Sequence, residues 1–236
     1  GENIASFTPQ VDYPGVSIDR VERVKSPNYL FLYLDIGPDT PPGELDILFR
    51  SGPDALSHTY LLKKKNPDPE YTRGFSAADA IYLITPDRFS NGDPSNDSIA
   101  GMGDAPDRSK PGGRHGGDLQ GIADHLDYVS EMGFTAVWLN PVVENRMPSY
   151  SYHGYASTDF YRVDPRYGSN EQYRELVSIA RKKGIGVIMD MIVNHIGSEH
   201  WWMDDLPTDD WLNFQGTPVI TSHEHITEQD PYASEY

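Results

Sequence analysis

Apolar positions change their period along this chain. Up to about residue 65 they alternate: Leu30, Leu32 and Leu34 interleave with Tyr29, Phe31 and Tyr33, while Leu45, Ile47 and Phe49 alternate with polar or smaller neighbours. A period of two is a strand signature. Gly37-Pro38 and Pro41-Pro42-Gly43 punctuate the runs as turns. The expected class for residues 1–65 is an antiparallel β-sandwich, partial because only about four strands are legible. A polar stretch follows, with Lys63-Lys64-Lys65, Pro67 and Pro69. Residues 66–79 read as a linker, and the lysine run as solvated.

After Ala80 the rhythm becomes strand, loop, helix. Ala80–Thr85, Thr135–Leu139 and Gly186–Asp190 are short apolar runs with the length of buried strands. Ile122, Leu126 and Val129 recur at helical spacing over Gly121–Met132, with Gly133 as the C-terminal cap. Ser169 and Gln172 form a capping-box pair. Behind them Tyr173, Leu176, Val177 and Ala180 mark one helix face, closed by Lys182, Lys183 and Gly184. Alternating β and α units with long loops predict a parallel sheet, the first part (about three βα units) of a (β/α)8 barrel over residues 80–195. Residues 196–236 read as the start of a domain inserted after the third strand.

Composition narrows the function classes. The net charge of −17 removes the basic footprint that nucleic acid or an anionic membrane would require. No apolar run is long enough to span a bilayer. Cysteine is absent, which excludes disulfides, thiolate metal sites and cysteine nucleophiles. Abundant carboxylates suit a calcium site, although most serve equally well as solvated surface.

Four short motifs carry candidate chemistry. Asn91-Gly92-Asp93-Pro94-Ser95-Asn96-Asp97 offers oxygen-bearing side chains on a loop able to curl round a hard cation, and is also ordinary turn composition. Gly116-Gly117-Asp118 places a carboxylate where it can cap the next helix. Tyr152-His153-Gly154-Tyr155 lies after the second strand, at the face where barrel enzymes build their sites. An aromatic ring beside an imidazole suits a sugar, whose C–H face stacks on the ring while its hydroxyls take hydrogen bonds; a packed surface loop would use the same residues. Asp190 ends the third strand within Asp190-Met191-Ile192-Val193-Asn194-His195, where an unpaired carboxylate is costly. It serves either the site or a structural network. The Trp201, Trp202 and Trp211 group, with Asp204, Asp205, Asp209 and Asp210, is either sugar-contacting or the core and surface of the inserted segment.

Taken together these segments resemble glycoside hydrolase family 13, the α-amylase family. Asp190 through Asn194-His195 resembles its D-x-x-x-N-H region, and Gly133–Pro141 its second-strand region. Tyr152–Tyr155 is similar to its Y-H-G-Y segment, and Ile81–Asp97 to the first strand and calcium loop of the cyclomaltodextrinase and neopullulanase branch. The N-terminal part and Trp201-Trp202-Met203 look closest to the Bacteroidetes type.

The resemblance implies retaining hydrolysis of α-1,4-glucans such as cyclomaltodextrins, maltooligosaccharides, pullulan or starch. It implies a substrate site of His153, Tyr155, Asp190 and His195, in which Tyr155 stacks on the glucose of subsite −1. It also implies one Ca2+ held by Asn91, Asp93, Asn96, Asp97, Gly116 and Asp118. The family's nucleophile follows an Arg on the fourth strand, and no Lys or Arg follows Lys183. The catalytic carboxylates are therefore expected outside this chain, which is expected to be a segment of a longer protein. The alternative is a non-catalytic carbohydrate-binding relative of the same fold. The expected partner is an α-glucan oligosaccharide; homodimerisation is left open, and location is periplasmic or otherwise exported, with the cytoplasm as alternative.

Overall fold

The computed structural model describes residues 1–66 and 74–213. The linker positions 67–73 and the stretch of the inserted segment from 214 onward lie outside the described residues. The chain forms two compact units: residues 1–65 together with the described residues from Asp205 on, and residues 66–204.

The first unit has five strands: β1 (Thr8–Val11), β2 (Val16–Arg23), β3 (Leu30–Ile36), β4 (Gly43–Ser51) and β5 (Asp54–Leu62). They form two antiparallel sheets, one in the order β1-β4-β5 and the other of β2 and β3. On β4 the predicted alternation holds, with Leu45 and Ile47 buried and Glu44 and Asp46 exposed. The residues from Asp205 on pack here. Tyr29 donates its hydroxyl to the Asp205 carbonyl at 2.7 Å, Asn28 Nδ2 donates to the Asp205 carboxylate at 2.7 Å, and the Phe31 and Trp211 rings lie 6.0 Å apart. Among the aromatic and acidic residues of the expected insert, Trp211 and Asp205 thus serve as packing and tether.

The second unit holds β6 (Ile81–Ile84), α1 (Pro86–Phe89), α2 (Leu119–Asp124), α3 (Leu126–Glu131), β7 (Ala136–Leu139), β8 (Val143–Glu144), β9 (Asp159–Val163), α4 (Asn170–Lys182) and β10 (Gly186–Met189). β6, β7 and β10 are parallel and side by side in the order β10-β7-β6, as the start of a barrel requires. Ile84, Val137 and Leu139 point into a core with Leu119, Ile122, Leu126, Val129, Leu176 and Ala180. On β6 and β7 the other face keeps Ile81, Leu83 and Trp138 exposed. β8 and β9 form a small antiparallel ribbon.

Two local expectations need correcting. The helix predicted over Gly121–Met132 is two helices, α2 and α3, broken at His125. The His125 ring Nδ1 takes the Gly121 carbonyl at 2.8 Å, the acceptor its own N–H would use in a continuous helix. That N–H turns instead to the Ile122 carbonyl at 3.1 Å. On α4 the capping box is present, with Ser169 N donating to Gln172 Oε1 at 2.8 Å and Gln172 N to Ser169 Oγ at 3.2 Å. Leu176 and Ala180 are buried, but Val177 is exposed, one step round from that face.

His200 is enclosed by aromatic rings, with Trp202 at 4.5 Å and Phe160 at 5.4 Å between centroids. Its Nδ1 accepts the Trp202 N–H at 3.0 Å, and its buried Nε2 has no partner among the described residues. Burial holds the imidazole below its ordinary pKa, against the opposing pull of Asp159 and Glu144. The unfolded chain therefore binds this proton more readily, so the stabilisation is present above the ordinary value of about 6.5 and is lost as pH falls. The melting temperature should drop between about pH 7 and pH 5. His200→Gln, which keeps an acceptor for Trp202, should make the drop shallower in a thermal melt; an unchanged slope would exclude His200 as its source.

Candidate functional site

Parallel register places the residues that follow β6, β7 and β10 along one edge of the sheet. Asp190 comes directly after β10. Its Oδ2 accepts the Tyr155 hydroxyl at 3.1 Å and the Trp138 indole N–H at 3.1 Å. Tyr155 is also held through its backbone. Its carbonyl accepts from His195 Nε2 at 2.8 Å, and its N–H donates to His153 Nδ1 at 3.0 Å. A 3.3 Å contact from Asn194 Nδ2 to His195 Nδ1 fits the tautomer with hydrogen on Nε2. Burial pushes the Tyr155 phenol above its ordinary pKa, reinforced by Asp190, and burial holds His153 below its own. All four residues expected to bind substrate are thus brought together, each of the other three touching Tyr155.

The loop carrying Tyr155 is fixed by buried polar groups. Gly154 has φ +82°, and a side chain there would collide with the Pro141 carbonyl. Ser151 donates from N and Oγ to Asp104 Oδ2 at 2.9 and 3.0 Å, and Arg114 Nη1 donates to Ser151 Oγ at 3.2 Å. Tyr167 donates its hydroxyl to the Tyr152 carbonyl at 2.7 Å. Arg166 reaches the Asp104 carbonyl at 3.0 Å, the Asn145 carbonyl at 2.6 Å and both oxygens of Asp164 at 2.9 and 2.8 Å. Asp87 accepts the backbone N–H groups of His115 and Gly116 and lies 3.7 Å from Arg114. Arg88 pairs with Asp87 and lies over the Tyr152 ring. Arg114, Arg166, Asp87 and Asp164 are at most 1% exposed. Charges so deep are tolerable only when paired and hydrogen-bonded. Neither this network nor the contact from Trp138 to Asp190 was predicted from sequence. For Trp138 a signal existed: it is the polar-tipped residue between buried Val137 and Leu139.

A second cluster gathers most of the residues expected to hold a metal. Asp118 accepts N–H groups from Gly92 at 3.1 Å, Asp93 at 2.8 Å and Gly121 at 2.7 Å, and Asn96 Nδ2 at 3.3 Å. It is therefore the α2 N-cap and also a clamp on the earlier loop. Asn91 Nδ2 donates to Asp97 Oδ1 at 2.8 Å, and Gly116, at φ +85°, lies so close that a side chain would strike both. Asp93 turns its carboxylate to Ser95 instead, accepting its N–H at 3.0 Å and its hydroxyl at 2.5 Å. Asn91 Oδ1 and Asn96 Oδ1 are buried with no hydrogen-bond partner among the described residues. Among the described residues no group of three or more His, Cys, Asp or Glu is arranged to hold a metal.

An aromatic ring framed by two imidazoles and a carboxylate thus stands at the loop edge of a parallel sheet. Comparison with known proteins makes the class specific. Residues 83–226 match the family model described as α-amylase, catalytic domain, and residues 1–66 match that of the cyclomaltodextrinase N-terminal domain. The chain belongs to the α-amylase family. It is 48% identical over 118 residues to a β/α-amylase of Paenibacillus polymyxa, covering 50% of this chain and 10% of that protein. It is 37% identical over 155 residues to a cyclomaltodextrinase of Thermoanaerobacter pseudethanolicus, covering 60% of this chain and 25% of that protein. Among solved structures, an Anoxybacillus α-amylase aligns with a TM-score of 0.54 at 43% identity, over 61% of this chain and 30% of that one. The chain thus spans a quarter or less of the length of these two curated relatives.

The Arg166–Asp164 pair is the most exacting support of the Tyr155 loop. Asp164→Ala should cost about 3–5 kcal/mol, because it strands a buried guanidinium and the Asn145 N–H. Chemical denaturation measures this directly, and a loss below about 1 kcal/mol would mean that solvent reaches Arg166.

Proposed function

We propose that the protein carrying this chain hydrolyses α-1,4-linked glucans, such as cyclomaltodextrins, maltooligosaccharides, pullulan or starch, with retention of configuration, and that this segment supplies part of the sugar-binding cleft. The observation that carries the reading is the fixing of Tyr155 from three sides by Asp190, His153 and His195. In this role the Tyr155 ring stacks on one glucose. His153 keeps its Nε2 for the sugar's hydroxyls, and His195 reaches them if its Nδ1 leaves Asn194. Asp190 orients Tyr155 and Trp138 through its Oδ2, and by the family resemblance it supports the site without being the nucleophile. A retaining mechanism requires two carboxylates, one forming the glycosyl intermediate and one acting as acid then base; we assign both to residues outside this chain.

We also infer that Asn91, Asn96, Asp97, Asp118 and the Gly116 carbonyl bind Ca2+, with Asp93 joining if its carboxylate leaves Ser95. The two orphaned amide oxygens support this: a hard cation prefers oxygen and would satisfy both. The ion would add positive charge to a junction that Asp118 already pins, and would act on stability rather than on the bond being cleaved. Export to the periplasm, or beyond, rests on the resemblance alone; among the described residues no helix is long and apolar enough to cross a membrane.

Reducing-sugar release from cyclodextrin or starch tests the activity in the full-length protein. Binding without release would identify a non-catalytic carbohydrate-binding relative. Tyr155→Ala should lower kcat/KM by at least about tenfold while leaving the melting temperature within a few degrees of the parent. Equal catalytic efficiency would remove Tyr155 from the site. Excess EGTA should lower the melting temperature, since an ion that binds only the folded state at a hundred times its Kd contributes about 2.7 kcal/mol. No shift, with no calcium found by elemental analysis, would rule the site out.

A further inference from the structure

Tyr150 takes a backbone conformation that its side chain does not favour and exposes a ring that the fold does not bury. Its φ and ψ are 56° and 20°, in the left-handed region where Gly or Asn is the low-cost occupant. Its side chain is 62% exposed, so packing returns little for that strain. The backbone here is over-determined by its neighbours. The next N–H, that of Ser151, is held by the half-buried Asp104, and Gly112 lies so close to the ring that any side chain there would strike it. Strain retained at an exposed aromatic points to a ligand rather than to stability.

Beside the ring is an open groove of about 730 Å³, lined by Asp107, Lys110, Gly112, Pro148 and Tyr150 among others. That volume falls in the range of about 300–1,000 Å³ typical of ligand pockets. Its polar groups suit hydroxyls. Lys110 pairs with Asp107 at 3.0 Å while its side chain stays 76% exposed, which leaves ammonium donors facing solvent. Asp107 is fixed by the N–H and hydroxyl of Ser109 at 3.1 and 2.5 Å and keeps acceptor capacity on its other lone pairs.

We propose that Tyr150 and this groove form a further α-glucan contact, the ring serving as platform for a pyranose face and Lys110 and Asp107 as partners of its hydroxyls. The inference rests on the α-glucan function proposed above. A pyranose fits better than a flat aromatic or an anion. The groove offers one exposed ring rather than a facing pair, and among the described residues its cation, Lys110, is paired with Asp107, so an anion would meet a carboxylate. Because Tyr150 stands five positions before Tyr155 on one loop, a glucan long enough to engage both would be held at two aromatic points.

The test uses the full-length protein and Tyr150→Gly, which removes the ring and suits the left-handed backbone. Tyr150→Asn, which also tolerates that conformation, is the second variant. In native gels containing soluble starch the parent should be retarded, and both variants retarded less, with apparent affinity reduced roughly three- to tenfold. In turnover assays the ratio of variant to parent KM should be larger for maltoheptaose than for maltotriose. Unchanged retardation of both variants, or an equal KM ratio for the two substrates, overturns the proposal. If the parent itself neither binds starch nor releases sugar, the α-glucan reading fails and this inference with it. If the parent does both and the variants match it, only the Tyr150 contact is lost.

Discussion

Parallel pairing of three short strands sets what the second unit can build. Ile84, Leu139 and Met189 stand side by side in register, so the residues that follow them leave the sheet at one level. Apolar side chains on one face of the sheet carry the packing, and the chain is free to place polar groups just beyond the strand ends. Asp190 is the outcome: a carboxylate one residue past the core, near enough to be held by Trp138 on the adjacent strand and by Tyr155 on a loop. Shift the register by one residue and Trp138 would enter the core while Val137 and Leu139 left it.

Beyond the short β8/β9 ribbon, the long loops leaving such an edge have no ladder to order them, so their order must come from side chains. The chain supplies it with buried charges. Asp164 and Arg166 gather carbonyl and N–H groups from the stretches around Asn145 and Asp104, while Asp87 gathers the backbone around His115. Each charge is costly to bury and becomes tolerable only when the surrounding backbone adopts one arrangement. The precision of the Tyr155 loop therefore depends on electrostatics more than on apolar contact.

Much of this was legible from sequence because it is local or periodic. The three barrel strands, the α4 capping box and the alternation on β4 follow from spacing alone. The members of the Tyr155 cluster were recognisable because motif resemblance brings distant positions together where periodicity cannot. What escaped were individual side-chain choices that no periodicity encodes. No pattern in the sequence says that the His125 ring will claim the Gly121 carbonyl and split one helix into two. Nor does any pattern say that Asp93 will turn to Ser95 while Asp118 collects the loop. Val177 was misplaced because a helical stripe predicts a face but not its width. Trp211 was read as either sugar-contacting or packing core; its contact with Phe31, 180 positions away, follows from no local pattern of apolar residues.

Asp118 has a consequence for motion. One carboxylate takes the amides of Gly92 and Asp93 from the loop after β6 and that of Gly121 from the first turn of α2. The Gly92 and Gly121 hydrogens share Oδ1, while that of Asp93 lies on Oδ2 with Asn96 Nδ2, so release of the one carboxylate frees all three. Loop and helix start should therefore open as a single cooperative unit, and their amides should exchange with deuterium at a common rate set by the release of that carboxylate.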